Sequence, residues 1–204
     1  MTILSGFRYR LEQNYASYKL LWAIKKQAEI RIILGAGATV CEGFVSTDRP
    51  QLDICSKASF EKYFRPDTVG VFVAEHVWEH LSLEDGALAF GNCFEFLKPG
   101  GVLRIAVPDG FHPNAGYIDR VRPGGCGEGA EDHKVLYDYR TLSALLENAG
   151  YKVRLLEWFD EEGKFQYENW SVEWGLIRRS SRFDERNSLT PLTYTSLIVD
   201  AIRP

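Results

Sequence analysis

The sequence predicts an α/β fold, a doubly wound and mostly parallel sheet of seven strands, and three observations support this prediction. Short apolar runs that suit buried strands alternate along the chain with amphipathic segments that suit helices. The first apolar run, residues 31–34, leads directly into the glycine-rich turn 35–38. The breakers Lys98-Pro99-Gly100-Gly101 stop an amphipathic segment just before another apolar run begins.

The expected strands and helices follow from apolar runs and capping residues. One helix is expected after Ser82, which forms a capping box with Asp85, and another between Asp138 and Gly150. The strands are expected at 31–34, 44–48, 52–54, 69–74, 102–107, 151–158 and 194–202. The last two strands have no helix between them, so we expect them to form an antiparallel C-terminal edge.

Three segments lie outside this pattern. Residues 1–29 hold an amphipathic helix that precedes the first strand and is placed to fold over the glycine turn as a lid. Residues 108–134 and 160–191 follow strand ends and are long, so we expect them to be substrate-side loops. The whole chain, 1–204, is expected to form a single domain. The apolar face of the first helix consists of Leu11, Tyr15, Tyr18 and Trp22.

The composition argues against several classes of protein. With 45% hydrophobic and 25% charged residues, the 204-residue chain is typical of a globular domain. A formal net charge of -4 disfavours a nucleic-acid partner, which requires a cationic surplus. The chain has no long apolar stretch of the kind that forms a signal peptide or a membrane span. Its four cysteines are isolated, which suits reduced thiols, so we expect a cytoplasmic protein.

The glycine turn after the first strand indicates a site for a nucleoside-containing cofactor. Gly35 and Gly37 let the backbone turn sharply and approach a ligand closely. Asp48 ends the next strand, where a carboxylate is placed to bind ribose hydroxyls. A dinucleotide fingerprint would carry a third glycine at position 40, where this chain has Val40. An NAD-dependent oxidoreductase is therefore only the third of our functional hypotheses.

Several blocks of sequence together resemble one family. They are IILGAG at 32–37, STD at 46–48, LDI at 52–54, VFVAEHVWEHL at 71–81 and LKPGGVL at 97–103. In this combination they are similar to class I S-adenosylmethionine (SAM)-dependent methyltransferases, over about residues 30–108. A weaker likeness continues at Asp132-His133-Lys134. Single blocks carry little weight, but the order of the blocks is specific for the family.

The resemblance implies a Rossmann-like fold that binds SAM and releases S-adenosylhomocysteine (SAH). It also implies a binding role for each residue that matches a family motif. These are Gly35, Ala36 and Gly37 for the methionine and ribose portions, Asp48 for the ribose hydroxyls, Asp53 and Ile54 for the adenine, and Glu75 and His76 for the methionine portion. The chain departs from the family at Ile33, because many members carry an acidic or amide residue two places before the first glycine.

Two histidines and an aspartate after the fifth expected strand are candidate general bases. His112, His133 and Asp109 lie in a segment at the carboxyl edge of the predicted sheet, where ligands bind in open α/β sheets. A base there would remove the acceptor proton as the methyl group moves. The sequence HVWEH at 76–80 matches the His-x-x-Glu-His pattern of some zinc proteases. Because no third ligand is evident, we predict no metal and expect His80 to hydrogen-bond nearby backbone.

The main functional hypothesis is transfer of the SAM methyl group to a small-molecule acceptor, by O- or N-methylation of a metabolite, sugar or lipid. The alternative is a noncatalytic or partner-regulated protein that binds the cofactor, and Ile33 motivates it. Neither the aromatic group Tyr167, Trp170 and Trp174 nor the basic pair at 178–179 selects an acceptor. The oligomeric state is also left open.

Overall fold

The structure is a computed structural model that describes residues 16–187 and 192–204. These residues form one seven-stranded sheet with helices packed on it, which confirms the predicted α/β fold. The strands are β1 Ile30–Leu34, β2 Val45–Ser46, β3 Val69–Glu75, β4 Leu97–Val107, β5 Lys152–Phe159, β6 Phe165–Tyr167 and β7 Leu197–Ile202. Their order across the sheet is β2-β1-β3-β4-β7-β5-β6.

The helices begin where the capping residues predict. Ser82 Oγ accepts a hydrogen bond from the Asp85 amide at 3.1 Å, and Asp138 Oδ1 accepts the amides of 140 and 141, each at 2.9 Å. None of the described helices is long and apolar enough to cross a membrane. The α-helices are α1, which runs through 16–25, α2 Lys57–Glu61, α3 Leu83–Phe96, α4 Ala115–Val121 and α5 Tyr139–Asn148, with short 3-10 turns at Trp78–His80, Ala130–Asp132, Val172–Trp174 and Glu185–Asn187.

The C-terminal strand pairs as predicted but lies in a different place. Strand β7 runs antiparallel to both β4 and β5, which confirms the antiparallel pairing of the last two predicted strands. It is not an edge strand, because it lies between those two strands inside the sheet. The edge is β6, which follows β5 through a tight turn in which Asp160 Oδ1 accepts the amides of Glu162 and Lys164 at 3.1 and 2.8 Å.

The strand expected at 52–54 is an irregular turn instead. Its two apolar residues are buried, which produced the alternating pattern in the sequence. The Asp53 amide donates to Ser59 Oγ at 3.0 Å, and the Asp53 carboxylate accepts from the Cys55 amide at 3.0 Å. These local hydrogen bonds satisfy backbone groups that a neighbouring strand would otherwise pair.

The two faces of the sheet are covered by different parts of the chain. Adjacent residues of β3 point to opposite faces, so Phe72 belongs to one buried cluster and Val73 to the other. The first cluster includes buried side chains of α1, α2, α3 and α5. The second includes Trp170 and Ile177, which belong to residues 160–187, here called the late segment. On that face the late segment occupies the layer that helices fill in a doubly wound sheet.

A buried ion pair within the sheet also hydrogen-bonds to the late segment and holds it against the sheet. Arg104 Nε and Nη2 contact the two carboxylate oxygens of Asp200 at 2.7 and 2.9 Å, and both side chains are at most 1% exposed. Arg104 Nη1 also donates to the carbonyls of Ser171 and Gly175, each at 2.7 Å. One guanidinium therefore joins β4, β7 and the late segment.

Two glutamates of the sheet accept hydrogen bonds from other parts of the late segment. Glu157 on β5 accepts hydrogen bonds from Trp170 Nε1 at 3.0 Å and from the Ser181 amide at 2.7 Å. Glu75 at the end of β3 accepts the amides of 178 and 179 at 3.2 and 2.7 Å. Because carboxylates bind backbone amides strongly, this segment is held to the sheet along much of its length.

The apolar stripe predicted for the first helix is not its buried face. Tyr18 and Trp22 are 68% and 55% exposed, and Leu11 and Tyr15 lie outside the described residues. Helix α1 borders the glycine turn, and the two line a shared cavity of about 430 Å³; the role of this helix as a lid stays a prediction. The face that packs on the rest of the protein carries Leu20 and Ile24.

Candidate active site

The turn after β1 requires glycine at two positions. Gly35 and Gly37 have φ angles of 58° and 51°, in the left-handed region that side chains disfavour. A Cβ at Gly35 would also lie 2.6 Å from Val77 Cγ2, so the position has no room for a side chain. The Gly37 amide donates to Asp48 Oδ2 at 2.9 Å. The turn therefore holds the carboxylate at the end of β2 in a fixed place.

A cavity of about 450 Å³, here called the turn cavity, opens at the carboxyl ends of β1 and β3. Four of the predicted cofactor residues line it: Gly35, Asp48, Ile54 and His76. Asp85, in the first turn of α3, also lines it. The sequence pattern identified Asp85 only as part of a capping box, and gave no sign that it faces a cavity.

The other predicted cofactor residues lie around the turn cavity rather than in its wall. Ala36 and Gly37 line the neighbouring cavity beneath α1. The Asp53 carboxylate accepts from the Arg49 guanidinium at 2.9 Å. Glu75 holds the late segment through both of its carboxylate oxygens, and its place beside the methionine portion of a cofactor stays a prediction.

A larger cavity of about 890 Å³, here called the loop cavity, lies next to the turn cavity. Tyr117 and His133, from the segment 108–134, line one side of it, and Arg179, from the late segment, lines another. The two cavities share part of their walls, because His76 and His80 line both. Both long segments expected to be substrate-side loops therefore contribute to one cavity beside the turn.

Comparison with known proteins shows which fold this is. No protein-family model and no curated protein matches the chain. A SAM-dependent methyltransferase of Mesorhizobium loti is 12% identical, with a TM-score of 0.52, and the match covers 92% of this chain and 98% of that chain. A SAM-dependent methyltransferase of Thermotoga maritima is 11% identical, with a TM-score of 0.51, over 99% and 96% of the two chains. The chain has the fold of SAM-dependent methyltransferases.

The methyltransferase fold is also found in a complex with a protein activator. A chain from the complex of the Haloferax volcanii Trm112 methyltransferase activator with a methyltransferase is 12% identical to this one. Its TM-score is 0.52, and the match covers 98% of this chain and 94% of that chain. At identities this low the likeness concerns the fold, which confirms the fold that the sequence motifs imply.

In this methyltransferase fold, the wall between the two cavities contains a buried polar network. His76 has a left-handed backbone, with φ at 57°, which is uncommon outside glycine. Its Nδ1 lies 2.9 Å from Glu79 Oε1 and its Nε2 lies 2.9 Å from Ser196 Oγ. Burial alone would raise the pKa of the Glu79 carboxyl, but the adjacent His76 lowers it below its ordinary value. The network fixes the His76 ring in the shared wall.

Of the three candidate bases, only His133 lines the loop cavity. Asp109 is fully buried and accepts the Phe159 amide at 2.8 Å, and burial raises the pKa of its carboxyl to about 6. The His112 ring stacks on the Tyr117 ring, with 4.0 Å between their centroids, and burial lowers its pKa to about 4. Asp109 thus joins the segment 108–134 to β5, and the His112 ring packs within the segment; a role for either residue as a base stays a prediction.

Replacing His112 with phenylalanine is expected to flatten the pH dependence of stability. Because burial lowers the folded pKa of His112 from 6.5 to about 4, the unfolded chain takes up the proton first as the pH falls. The native protein therefore loses stability between those two values, and the variant lacks this contribution. Thermal unfolding measured across the window checks the prediction. If stability changes equally with pH in the native protein and the variant, the prediction is wrong. Asp109 is present in both proteins, so its own titration does not produce a difference between them.

Proposed function

We propose that the protein is a SAM-dependent methyltransferase that holds its cofactor in the turn cavity and a small-molecule acceptor in the loop cavity. The observation that carries the proposal is the shared wall, because His76 and His80 line both cavities. A ligand in one cavity lies beside a ligand in the other, as direct transfer of a methyl group requires. The methyltransferase fold supports the same assignment.

The residues of the turn cavity suit SAM. The missing side chain at Gly35 lets a ligand approach the backbone closely. Each carboxylate oxygen of Asp48 accepts one backbone amide, at 2.9 and 2.7 Å, and keeps a lone pair for a ribose hydroxyl. Leu52 and Ile54 offer an apolar surface for the adenine ring.

The bound cofactor would supply a methyl group on a positively charged sulfur, with SAH as the leaving group. The chain itself has to align the acceptor and keep water away from the reacting atoms. His76 is suited to this task, since its Nε2 is hydrogen-bonded to Ser196 and its Nδ1 contacts the Glu79 carboxylate in the shared wall. Tyr117 and Tyr194 add an aromatic lining to the acceptor side.

We further propose that the acceptor is a metabolite, sugar or lipid that is methylated on oxygen or nitrogen. The loop cavity, at about 890 Å³, has the size of sites for small molecules. A single-domain organisation, in which residues 108–134 and 160–191 are the substrate-side loops, is part of the same proposal. So does a cytoplasmic location, which the four cysteines support because each one is a free thiol.

Replacing Asp48 with asparagine is expected to weaken SAH binding by about 10-fold to 100-fold, because hydrogen bonds from the ribose hydroxyls to a charged acceptor would be lost. Isothermal titration calorimetry with SAH measures the effect. The matched control is Asp119→Asn, since the Asp119 carboxylate pairs with the exposed Arg122 and does not line the cavity. The control is expected to bind SAH as the native protein does.

The outcomes separate the proposal from its alternative. If the native protein gives no heat with SAH at millimolar concentration, the proposal fails. Binding of SAH without release of labelled methyl product across a broad acceptor panel would favour a noncatalytic or partner-regulated protein. The activator bound to the Haloferax volcanii protein makes a partner-dependent assay worth including in that panel.

A further inference from the structure

We propose that Glu79, His80 and His133 bind one divalent transition-metal ion, and that this ion binds the methyl acceptor; the second part rests on the proposed function. Each of the three side chains offers one ligand atom, and these atoms all lie within 4.8 Å of one another. Small side-chain rotations would bring them to the distances of about 2.0–2.2 Å at which such an ion is held. The ligands come from the 3-10 turn after β3 and from the end of the segment 108–134.

The Glu79 carboxylate points independently to a missing cation. The side chain is fully buried, and neither of its oxygens accepts a hydrogen bond from the described residues. His76 Nδ1 lies 2.9 Å from Glu79 Oε1 as an ion-pair contact, without the geometry of a hydrogen bond. Buried carboxylates that accept no hydrogen bond are costly and rare in native proteins. A metal ion in the cluster would satisfy the carboxylate.

Both histidines are arranged as metal ligands usually are. His133 Nδ1 lies 2.7 Å from the Val121 carbonyl, so Nδ1 carries the proton and Nε2 keeps its lone pair. His80 Nδ1 lies 3.4 Å from Asp132 Oδ2, an ion-pair contact at the same ring nitrogen. Metal-binding histidines usually donate their second ring nitrogen to a carbonyl or a carboxylate, as His133 does. The two rings are 4.7 Å apart at their centroids.

The ligand set selects the class of metal. Two imidazoles and one carboxylate suit zinc, manganese or ferrous iron, whereas magnesium and calcium prefer oxygen ligands throughout. The site uses Glu79 and His80 of the His-x-x-Glu-His pattern but replaces the first histidine with His133. His76 instead contacts Ser196. The sequence pattern offered no third ligand, because His133 lies far from it along the chain.

An ion at this place would act on the acceptor. All three ligands line the loop cavity, so the remaining coordination positions face the space proposed for the acceptor. A hydroxyl group bound to the ion loses its proton to solvent more easily, because the cation stabilises the oxyanion. The oxygen lone pair then forms the bond to the methyl carbon, and the electrons of the carbon–sulfur bond leave with the sulfur of SAH. The proposal thus favours O-methylation of a hydroxyl-bearing acceptor.

Zinc and cobalt test the metal site without any acceptor. Protein freed of metal by a chelator is expected to bind one zinc ion per chain in calorimetry, and His133→Ala is expected to weaken that binding by about 100-fold or more. Cobalt is expected to give a visible absorption band that the variant loses. The control is His112→Phe, whose side chain lies outside the cluster. Equal zinc binding by the native protein and His133→Ala would overturn the proposal, as would the absence of zinc binding.

Catechol tests the second part, since it presents hydroxyl oxygens to a metal. Addition of catechol to the cobalt-loaded protein is expected to shift the absorption band, and an unchanged spectrum would overturn acceptor binding by the ion. Titration with SAH tests the methyltransferase proposal separately from the metal site. His133 does not line the turn cavity, so His133→Ala should bind SAH as the native protein does. A native protein that binds zinc but not SAH would leave the metal site standing and remove the methyltransferase function.

Discussion

Replacing Arg104 with methionine is expected to lower the free energy of unfolding by about 3–5 kcal/mol. The substitution leaves the Asp200 carboxylate buried without its partner, and both side chains are at most 1% exposed in the native protein. It also leaves the carbonyls of Ser171 and Gly175 without their donor. Urea denaturation followed by circular dichroism measures the loss.

The matched control for Arg104→Met is Arg154→Met. Arg154 on β5 pairs with Glu168 of the late segment at 2.8 Å, but these two side chains are 43% and 51% exposed. An exposed pair contributes at most about 1 kcal/mol, so the control is expected to remain close to the native stability. If both substitutions lower the free energy of unfolding equally, burial does not determine how much Arg104 stabilises the protein. A second variant, with Asp200 also replaced by leucine, should recover part of the loss.

Replacing Gly35 with alanine is expected to reduce SAH affinity by about 10-fold or more. Alanine disfavours the left-handed backbone at this position, where φ is 58°. Its Cβ would meet Val77 Cγ2 at 2.6 Å, so the turn or Val77 must move. Either movement displaces the wall of the turn cavity, because both residues line it. Calorimetry with SAH measures the change.

The control for Gly35→Ala is the same substitution in a helix. Gly91 lies within α3, and a Cβ added there meets nothing within 4 Å. Gly91→Ala should keep full SAH affinity and gain about 0.5–1 kcal/mol of stability, since alanine restricts the unfolded chain. If Gly35→Ala also binds SAH as the native protein does, the turn is not part of the cofactor site.

Local signals in the sequence predicted the elements whose hydrogen bonds are local. Ser82 and Asp138 cap their helices as expected, because a capping side chain bonds to amides two or three residues away. The turn at Gly35 was also predicted from a local signal, the glycines at positions 35 and 37. The prediction of a strand at 52–54 was wrong because the Asp53 amide donates to Ser59 Oγ instead of to a neighbouring strand. The alternation of apolar residues does not reveal this competition. Strand β6 was missed, although Asp160 and Gly163 together form a recognisable hairpin turn.

The parts of the site that depend on distant residues were not predictable from one sequence. Arg104 within a strand is typical of a side chain that faces solvent, and its partner Asp200 lies 96 residues further along the chain. Glu75 matched a family motif, yet it binds the late segment, which the motif does not include. His133 joins Glu79 only after the segment 108–134 has folded back over the turn that follows β3. Such contacts depend on how separate elements pack, which no local pattern encodes.

The place of β7 has a consequence for synthesis of the protein on the ribosome. Strands β1 to β4 and the hairpin of β5 and β6 are made first, but in the described sheet the strand pairing between these two groups runs through β7. Until residues 197–202 leave the ribosome, β4 and β5 each present an unpaired edge, which other chains can pair with. Joining the two parts of the sheet is therefore a late event in biosynthesis. We expect the nascent chain to depend on chaperones until that last strand is added.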